Sequence, residues 1–431
     1  FILDKRYLKN DKTFGYEFNA LQGPALLCWN NQTFSEQDLL GIKSLGKGNK
    51  MSNLNKIGRF GVGFNISYHL TDCPQILSNN DNYIIFDPLC KHFPNLESTN
   101  PGCLIKNAKT KLKDTIFSDV YSGFDLNGIE LENSSLFRFA LRQLDSNIST
   151  SIKLENISCL VNEFIKNESK TILLFLKNVK KIGFYEYGQD NILKRNHQIN
   201  LEVHGDNAIN RTNFLVQQSR ISDNINFIDE KKFHYKLSIN NINSFNSMET
   251  SNYLIFDQIG FSMSYVSNDE KNRIIQLEKD KKEKYLPIAS LAFSIDNNFA
   301  TENKKFKLFN YLPLEQKSPF KFHINAYWSL HHENRTHIYE YGLRNEGVKK
   351  QEALWCTDWN IFLIDFIVLP LYIDFLNYIK CNYLLNSNCE FKMNQIIDFY
   401  PTNEEVNFDK NLKPYFDSMI KRFYRTVCNM E

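Results

Sequence analysis

Lys56-Ile57-Gly58-Arg59-Phe60-Gly61-Val62-Gly63-Phe64-Asn65 sets three glycines at G-x-x-G-x-G spacing within a chain of 431 residues. Glycines let successive backbone N–H groups turn towards one point, a hollow suited to phosphate oxygens. The residues that follow read as a helix start, whose dipole favours an anion. A dinucleotide fingerprint would need a strand running straight into the glycines and an acidic residue about 20 positions on. Asp81 has that spacing, but residues 46–55 are polar and loop-like, which disfavours the dinucleotide reading. Upstream, Gly41-Ile42-Lys43-Ser44-Leu45-Gly46-Lys47-Gly48 follows the phosphate-loop spacing until its last position, where Gly48 has no hydroxyl to hold magnesium.

Working outward, Ala25-Leu26-Leu27-Cys28-Trp29 and Tyr83-Ile84-Ile85-Phe86 read as strands, and Phe1-Ile2-Leu3-Asp4 reads as a strand already under way. Ser35 with Asp38 three residues later forms a helix-start signal close to a capping box. Leu136 to Arg142 alternates in part. Ile157 to Ile165 has helical spacing, and Thr171 to Leu176 reads as a buried strand. From 190 to 255 the chain turns polar, with Ile199, Leu201 and Val203, then Phe233, Tyr235 and Leu237, alternating as in antiparallel strands. The charged run 269–284 reads as a solvated loop or exposed helix face. After it come Tyr285 to Phe293, strands near 306–312 and 321–330, and helix from Trp359. The expected organisation is α+β, with a first unit at 1–190, a connecting region at 191–284 and a second unit at 285–431.

Lys plus Arg is 51 against 49 Asp plus Glu, so the net charge of +2 supplies no field to draw the chain onto nucleic acid. Nine scattered cysteines form no C-x-x-C pair, which removes the usual zinc and redox spacings and points to reduced thiols in a cytoplasmic protein. Ile361 to Ile379 nearly has the length of a membrane span, but Asp365, Pro370, Asp374 and Asn377 interrupt it, so a buried helix kinked near Pro370 is expected. His331-His332-Glu333-Asn334-Arg335-Thr336-His337 gathers metal-ligating types without the i,i+4 pair of a helical site, and no metal is expected there. Because it begins at Phe1 in a strand already under way, the chain is expected to be a piece of a longer polypeptide.

Several stretches together resemble sacsin repeats. They are Leu21-Gln22-Gly23-Pro24-Ala25-Leu26-Leu27, Asn30 through Asp38, Gly58 through Asp72, Phe86-Asp87-Pro88 and Leu136-Phe137-Arg138-Phe139-Ala140-Leu141-Arg142, with thinner matches at Asn310 to Leu314 and His331 to Arg335. More distantly they resemble the ATP-binding domain shared by gyrase, the ninety-kilodalton heat-shock chaperone, histidine kinases and MutL.

That resemblance implies a Bergerat (GHKL ATPase) fold, a two-layer α/β sandwich lacking its first helix, followed by a second α+β domain ending in helices. ATP would lie under a mobile lid around 41–63. The backbone of Gly58, Arg59, Phe60, Gly61, Val62 and Gly63, with Phe64 behind it, would hold the phosphates. The magnesium-binding Asn and the water-activating Glu of the family belong to a helix before Phe1, so ATP with magnesium and weak ATPase activity are expected of the full-length protein alone. Glu163 and Asn167 have the right mutual spacing but the wrong order, and read as a solvated helix face.

At the adenine end Asn30 stands where the superfamily has an aspartate, offering an amide oxygen without the carboxylate's charge. Ser135 keeps a hydroxyl at the family's threonine position, where it either contacts nucleotide or flanks a strand. Arg335 is a candidate for neutralising charge on a transferred phosphate, against a role in anchoring its own loop. His69 is expected to pack or hydrogen-bond structurally. The implied function is that of a chaperone or co-chaperone module in protein folding and quality control, partnered by client proteins and other chaperones. The alternative is a non-catalytic scaffold whose pocket no longer takes nucleotide.

Overall fold

Asp4 closes a strand of three residues, β1 (Ile2–Asp4), that lies between a parallel neighbour and an antiparallel one. The computed structural model describes residues 1–43, 63–221, 229–262, 267–279, 285–296, 306–331, 335–341, 350–385, 391, 396–402 and 409–428. Within them the chain is mixed α+β and divides into two compact units, one made of 1–169, 181–199 and 241–249, the other of 170–180, 200–240 and 250–431. Segment 191–284 thus contributes to both.

In the first unit, β1 is followed by β2 (Ala25–Asn30), β3 (Gln75–Ser78), β4 (Asn82–Phe86), β5 (Gly102–Ile105), β6 (Ser135–Ala140) and β7 (Lys181–Tyr187). Their spatial order is β7-β1-β2-β6-β3-β4-β5, with only β1 and β7 parallel among these pairs. The strand period of two sends Ile2, Ala25, Leu27, Leu136 and Ala140 to one face, where Phe18, Leu112, Val120, Tyr121 and Phe124 from short helical turns cover them. Leu3 and Leu26 point the other way, against Leu141 and Ile157, the latter from the helix Leu154–Glu168.

Asp4 shares the first of these faces, and is wholly buried with Arg138. Ala25, the small residue opposite Asp4 on β2, leaves room for the Arg138 stem to cross from β6 towards β1. Asp4 Oδ2 accepts from Arg138 Nη1 at 3.0 Å and from Arg6 Nη2 at 3.0 Å, while Oδ1 accepts from Arg6 Nε at 2.8 Å. Arg138 Nη2 also donates to the Gly23 carbonyl at 2.7 Å, and a Cβ on Gly123 would stand 2.9 Å from Arg138 Nε. Burial lowers the Arg138 pKa, and the Asp4 carboxylate partly restores it.

The second unit takes in the end of β8 (Leu193–Glu202), the helix Asp206–Ser219, most of β9 (Lys231–Asn243) and β10 (Met248–Ile259), and then β11 (Ile288–Ser294), β12 (Lys307–Asn310), β13 (Leu312–Lys317) and β14 (His323–Ala326). There the strand order is β9-β10-β11-β14-β12-β13. Apolar helices cover β11, where the ring of Phe375 stacks on Phe293. The last helix, Lys413–Cys428, buries Tyr415, Phe416, Met419, Ile420 and Phe423 at helical spacing.

Segment 354–383 is long and apolar enough by composition to cross a membrane, and 67% of its most apolar window is buried inside the fold. A π turn, Ile364–Val368, lies just ahead of Pro370, where a kink is expected. Proline has no N–H for the carbonyl four residues back, that of Phe366. Gln258 Nε2 donates to it instead, at 3.3 Å.

Two expectations are corrected. Thr171 to Leu176 is buried but forms turns, with Leu174 N donating to Thr171 O at 3.0 Å, so burial without a partner strand imitates a strand pattern. The terminal helices begin at Lys350, nine residues before Trp359. The charged run takes the second of its two expected forms, the helix Asn268–Lys279, with one face solvated and Ile274 and Leu277 buried on the other.

Replacing Asp4 by Ala strands two guanidiniums out of water. We expect a loss of about 3–5 kcal/mol, seen as an early unfolding transition in urea. An Asp4→Asn variant as stable as the parent would show that the charge is irrelevant.

Candidate nucleotide site

Asn30 and Ser135 are brought together because they are register partners at the ends of β2 and β6, and Ser78 of β3 pairs with Ser135 on its other side. The loop after Asn30 folds back over these strand ends. Asn30 Oδ1 accepts from Gln32 N at 3.1 Å, an Asx turn. Ser135 Oγ donates to Gln32 O at 2.8 Å, and Phe34 N donates to Ser78 Oγ at 3.0 Å. With the single Ser135 proton directed at Gln32, the 2.9 Å contact between the serines has Ser78 as donor. A directed chain therefore runs from the Phe34 amide through two hydroxyls to the Gln32 carbonyl.

The expected capping box follows immediately. Ser35 Oγ donates to Asp38 Oδ2 at 2.7 Å and accepts from Asp38 N at 3.2 Å, opening the helix Glu36–Lys43.

At the phosphate end, Gly58, Arg59, Phe60, Gly61 and Val62 lie outside the described residues, as does most of the expected lid. Gly63 and Phe64 open a 3₁₀ helix, Gly63–His69, matching the expected helix start. Gly63 is exposed, and the Phe64 ring meets Phe86 edge-on at 5.3 Å. The far end of this helix is held by Arg142, which is buried. Its Nη2 donates to Tyr68 O at 2.6 Å, Nη1 to His69 O at 3.3 Å and Thr150 O at 2.9 Å, and Nε to Asp72 Oδ1 at 2.6 Å. A cation at carbonyls left over from a helix terminus is favoured by both hydrogen bonding and dipole. The His69 ring, expected to pack or hydrogen-bond, is exposed. Its carbonyl carries the contact.

Behind this helix, Asp87 Oδ2 accepts from the His92 and Phe93 amides at 2.6 and 2.9 Å, which makes Phe86-Asp87-Pro88 a locked turn. Burial, with Asp87 beside it, pushes the Cys73 thiol up, so it is no nucleophile at neutral pH. Burial pushes the Tyr68 phenol up to about 12.

Glu163 and Asn167 are exposed on their helix. Arg335 lies in the second unit with a left-handed backbone (φ 56°), between the bridged residues Leu330 and Ile338, and its amide donates to His331 O at 3.1 Å. Among the described residues no group of three or more His, Cys, Asp or Glu is placed to hold a metal, and His332, Glu333 and Asn334 lie outside them. Sequence reasoning missed Ser78, at the end of an apolar strand with nothing to mark it. It also gave Arg142 no task, although a cation in the alternating run Leu136 to Arg142 was a signal.

Residues 1–198 match the family model described as Sacsin domain. Over 99% of its length the chain is 27% identical to sacsin of Homo sapiens, of which it covers 9%. The chain therefore spans less than a tenth of the length of the curated relative it matches.

Ser135→Ala removes the middle of the hydroxyl chain. About 1 kcal/mol of stability should go with it, and the Phe34 amide should exchange faster with deuterium. An unchanged Phe34 amide would assign the hydroxyl to another role.

Proposed function

We propose that this sacsin-related chain is a chaperone or co-chaperone module acting in protein folding and quality control, built on an ATPase-type domain whose adenine end is diverted to holding its own loop. One observation carries the reading. The Asn30 oxygen accepts from the Gln32 amide and the Ser135 proton goes to the Gln32 carbonyl, so the two groups that the resemblance assigns to nucleotide are committed to residue 32. A second acceptor direction on Asn30 remains, without the charge of an aspartate. ATP affinity is then weak, and the pocket serves the fold and its client contacts more than catalysis. Arg335 acts in this reading as an anchor of its own turn.

Calorimetric titration with magnesium ATP should give no heat above dilution at micromolar nucleotide. Suppression of aggregation of a heat-unfolded client enzyme should proceed equally with and without ATP. Tight binding that disappears in Gly61→Ala, whose side chain would crowd the expected phosphate loop, would overturn the diverted pocket and restore a nucleotide-driven cycle. Failure to suppress aggregation under either condition would overturn the chaperone assignment.

A further inference from the structure

The second unit holds a small pocket of about 10 Å³, room for a single water. Asp257 of β10 lies against it at 1% exposure, and neither carboxyl oxygen has a partner at hydrogen-bonding geometry. Gln218 is 2% exposed there, and its side-chain oxygen is likewise unpartnered. Unmet acceptors at one small cavity call for a donor, either a proton on the carboxyl or a water that bridges both.

The walls differ in kind. Arg211 and Gln218 come from the helix Asp206–Ser219, Tyr235 from β9, Ser290 from β11 and Asn325 from β14, all in regular hydrogen-bonded structure. Tyr311, at the tight turn between β12 and β13, and residues 174–177, in irregular backbone without a strand partner, complete the lining. Residues 174–177 are held by Arg211 Nη2 donating to Leu176 O at 2.8 Å, by the Phe175 ring against Phe309 at 4.9 Å, and by the Lys177 ammonium 4.7 Å from the centre of the Tyr311 ring. This stretch opens at the least cost, since no ladder has to break.

We propose that this cavity is a proton-sensitive catch, closed over a neutral Asp257 carboxyl and opened at residues 174–177 to admit water when that carboxyl loses its proton. The titratable and charged groups facing Asp257 are Arg211 and Tyr235, with Lys177 and Tyr311 across the cavity, while β11 and β14 present only the hydroxyl of Ser290 and the amide of Asn325. Burial pushes the Asp257 carboxyl up to about 7, against smaller opposing effects of Ser290, Tyr235 and Arg211. Burial brings the Lys177 ammonium down to about 8. A carboxyl whose pKa is raised by folding contributes stability that is full below its unfolded value and lost as pH rises through about 7. The charged form therefore favours the hydrated, open state. Segment 170–180 leaves the first unit at Ser169 and returns to it at Lys181, so the catch acts on a stretch whose two ends belong to the other unit.

Deuterium exchange of the 171–177 amides, corrected for intrinsic rates and followed from pH 5 to 9, tests this on the whole chain. Protection should fall between pH 5 and about 7, by at most about tenfold per pH unit for a single proton, and level off above, while Asp257→Asn should stay at the low-pH level throughout. Lys177→Arg should keep the wild-type fall, and its loss in that variant would assign the response to Lys177 and overturn the proposal. Identical profiles for wild type and Asp257→Asn would overturn it too. Should Asp257→Asn not fold, carbon-13 titration of the wild-type carboxyl decides, because a midpoint below pH 5 removes the catch.

Discussion

One carboxylate, that of Asp4, holds two guanidiniums inside the first unit, and the geometry of β6 depends on it. Moving a charge out of water costs several kcal/mol, so Arg138 remains buried only while Asp4 and the Gly23 carbonyl stay in reach. That requirement fixes how β1, β2 and β6 lie against one another, because Arg138 of β6 must reach across β2 to Asp4 of β1. β6 in turn carries Ser135 at its start and leads to Arg142 just past its end. The pin of the Gln32 loop and the clamp on the 3₁₀ helix are thus set by the same ionic anchor between them.

Much of this was readable in the residues. The Ser35 and Asp38 pair announced a helix start, and the short apolar runs at 25–29 and 83–86 announced strands, since these signals are local and the backbone answers to them locally. The 171–176 run shows the limit. Its Ile, Leu and Phe record burial, and burial alone does not distinguish a paired strand from a turn pressed against a helix and a sheet. The helix Asp206–Ser219 stands within a stretch expected to be strands, because its buried stripe includes Arg211 and Gln218, polar residues that interrupt the apolar period. Asn30 and Ser135 could be named from resemblance. What no pattern contained was their shared attachment to residue 32, which arises only when two strand ends and a loop meet.

Polar groups in both units follow a common logic. At several irregular points of the described backbone, a buried side chain supplies a hydrogen-bond partner. Arg142 takes the carbonyls at the end of a short helix, and Gln258 takes the carbonyl that Pro370 leaves free. Asn360 makes a reciprocal pair with the Ser329 backbone at 2.9 and 3.0 Å. Each completes hydrogen bonding that would otherwise cost about 1–3 kcal/mol, and each joins segments far apart in sequence.

The two compact units are interleaved along the polypeptide, which passes between them five times, at 169/170, 180/181, 199/200, 240/241 and 249/250. During synthesis from the amino end, the first unit does not possess all its pieces until residue 249 has left the ribosome. By then the second has already received residues 170–180 and 200–240. Neither can finish before the other has begun, so the nascent chain must shelter half-built surfaces of both at once.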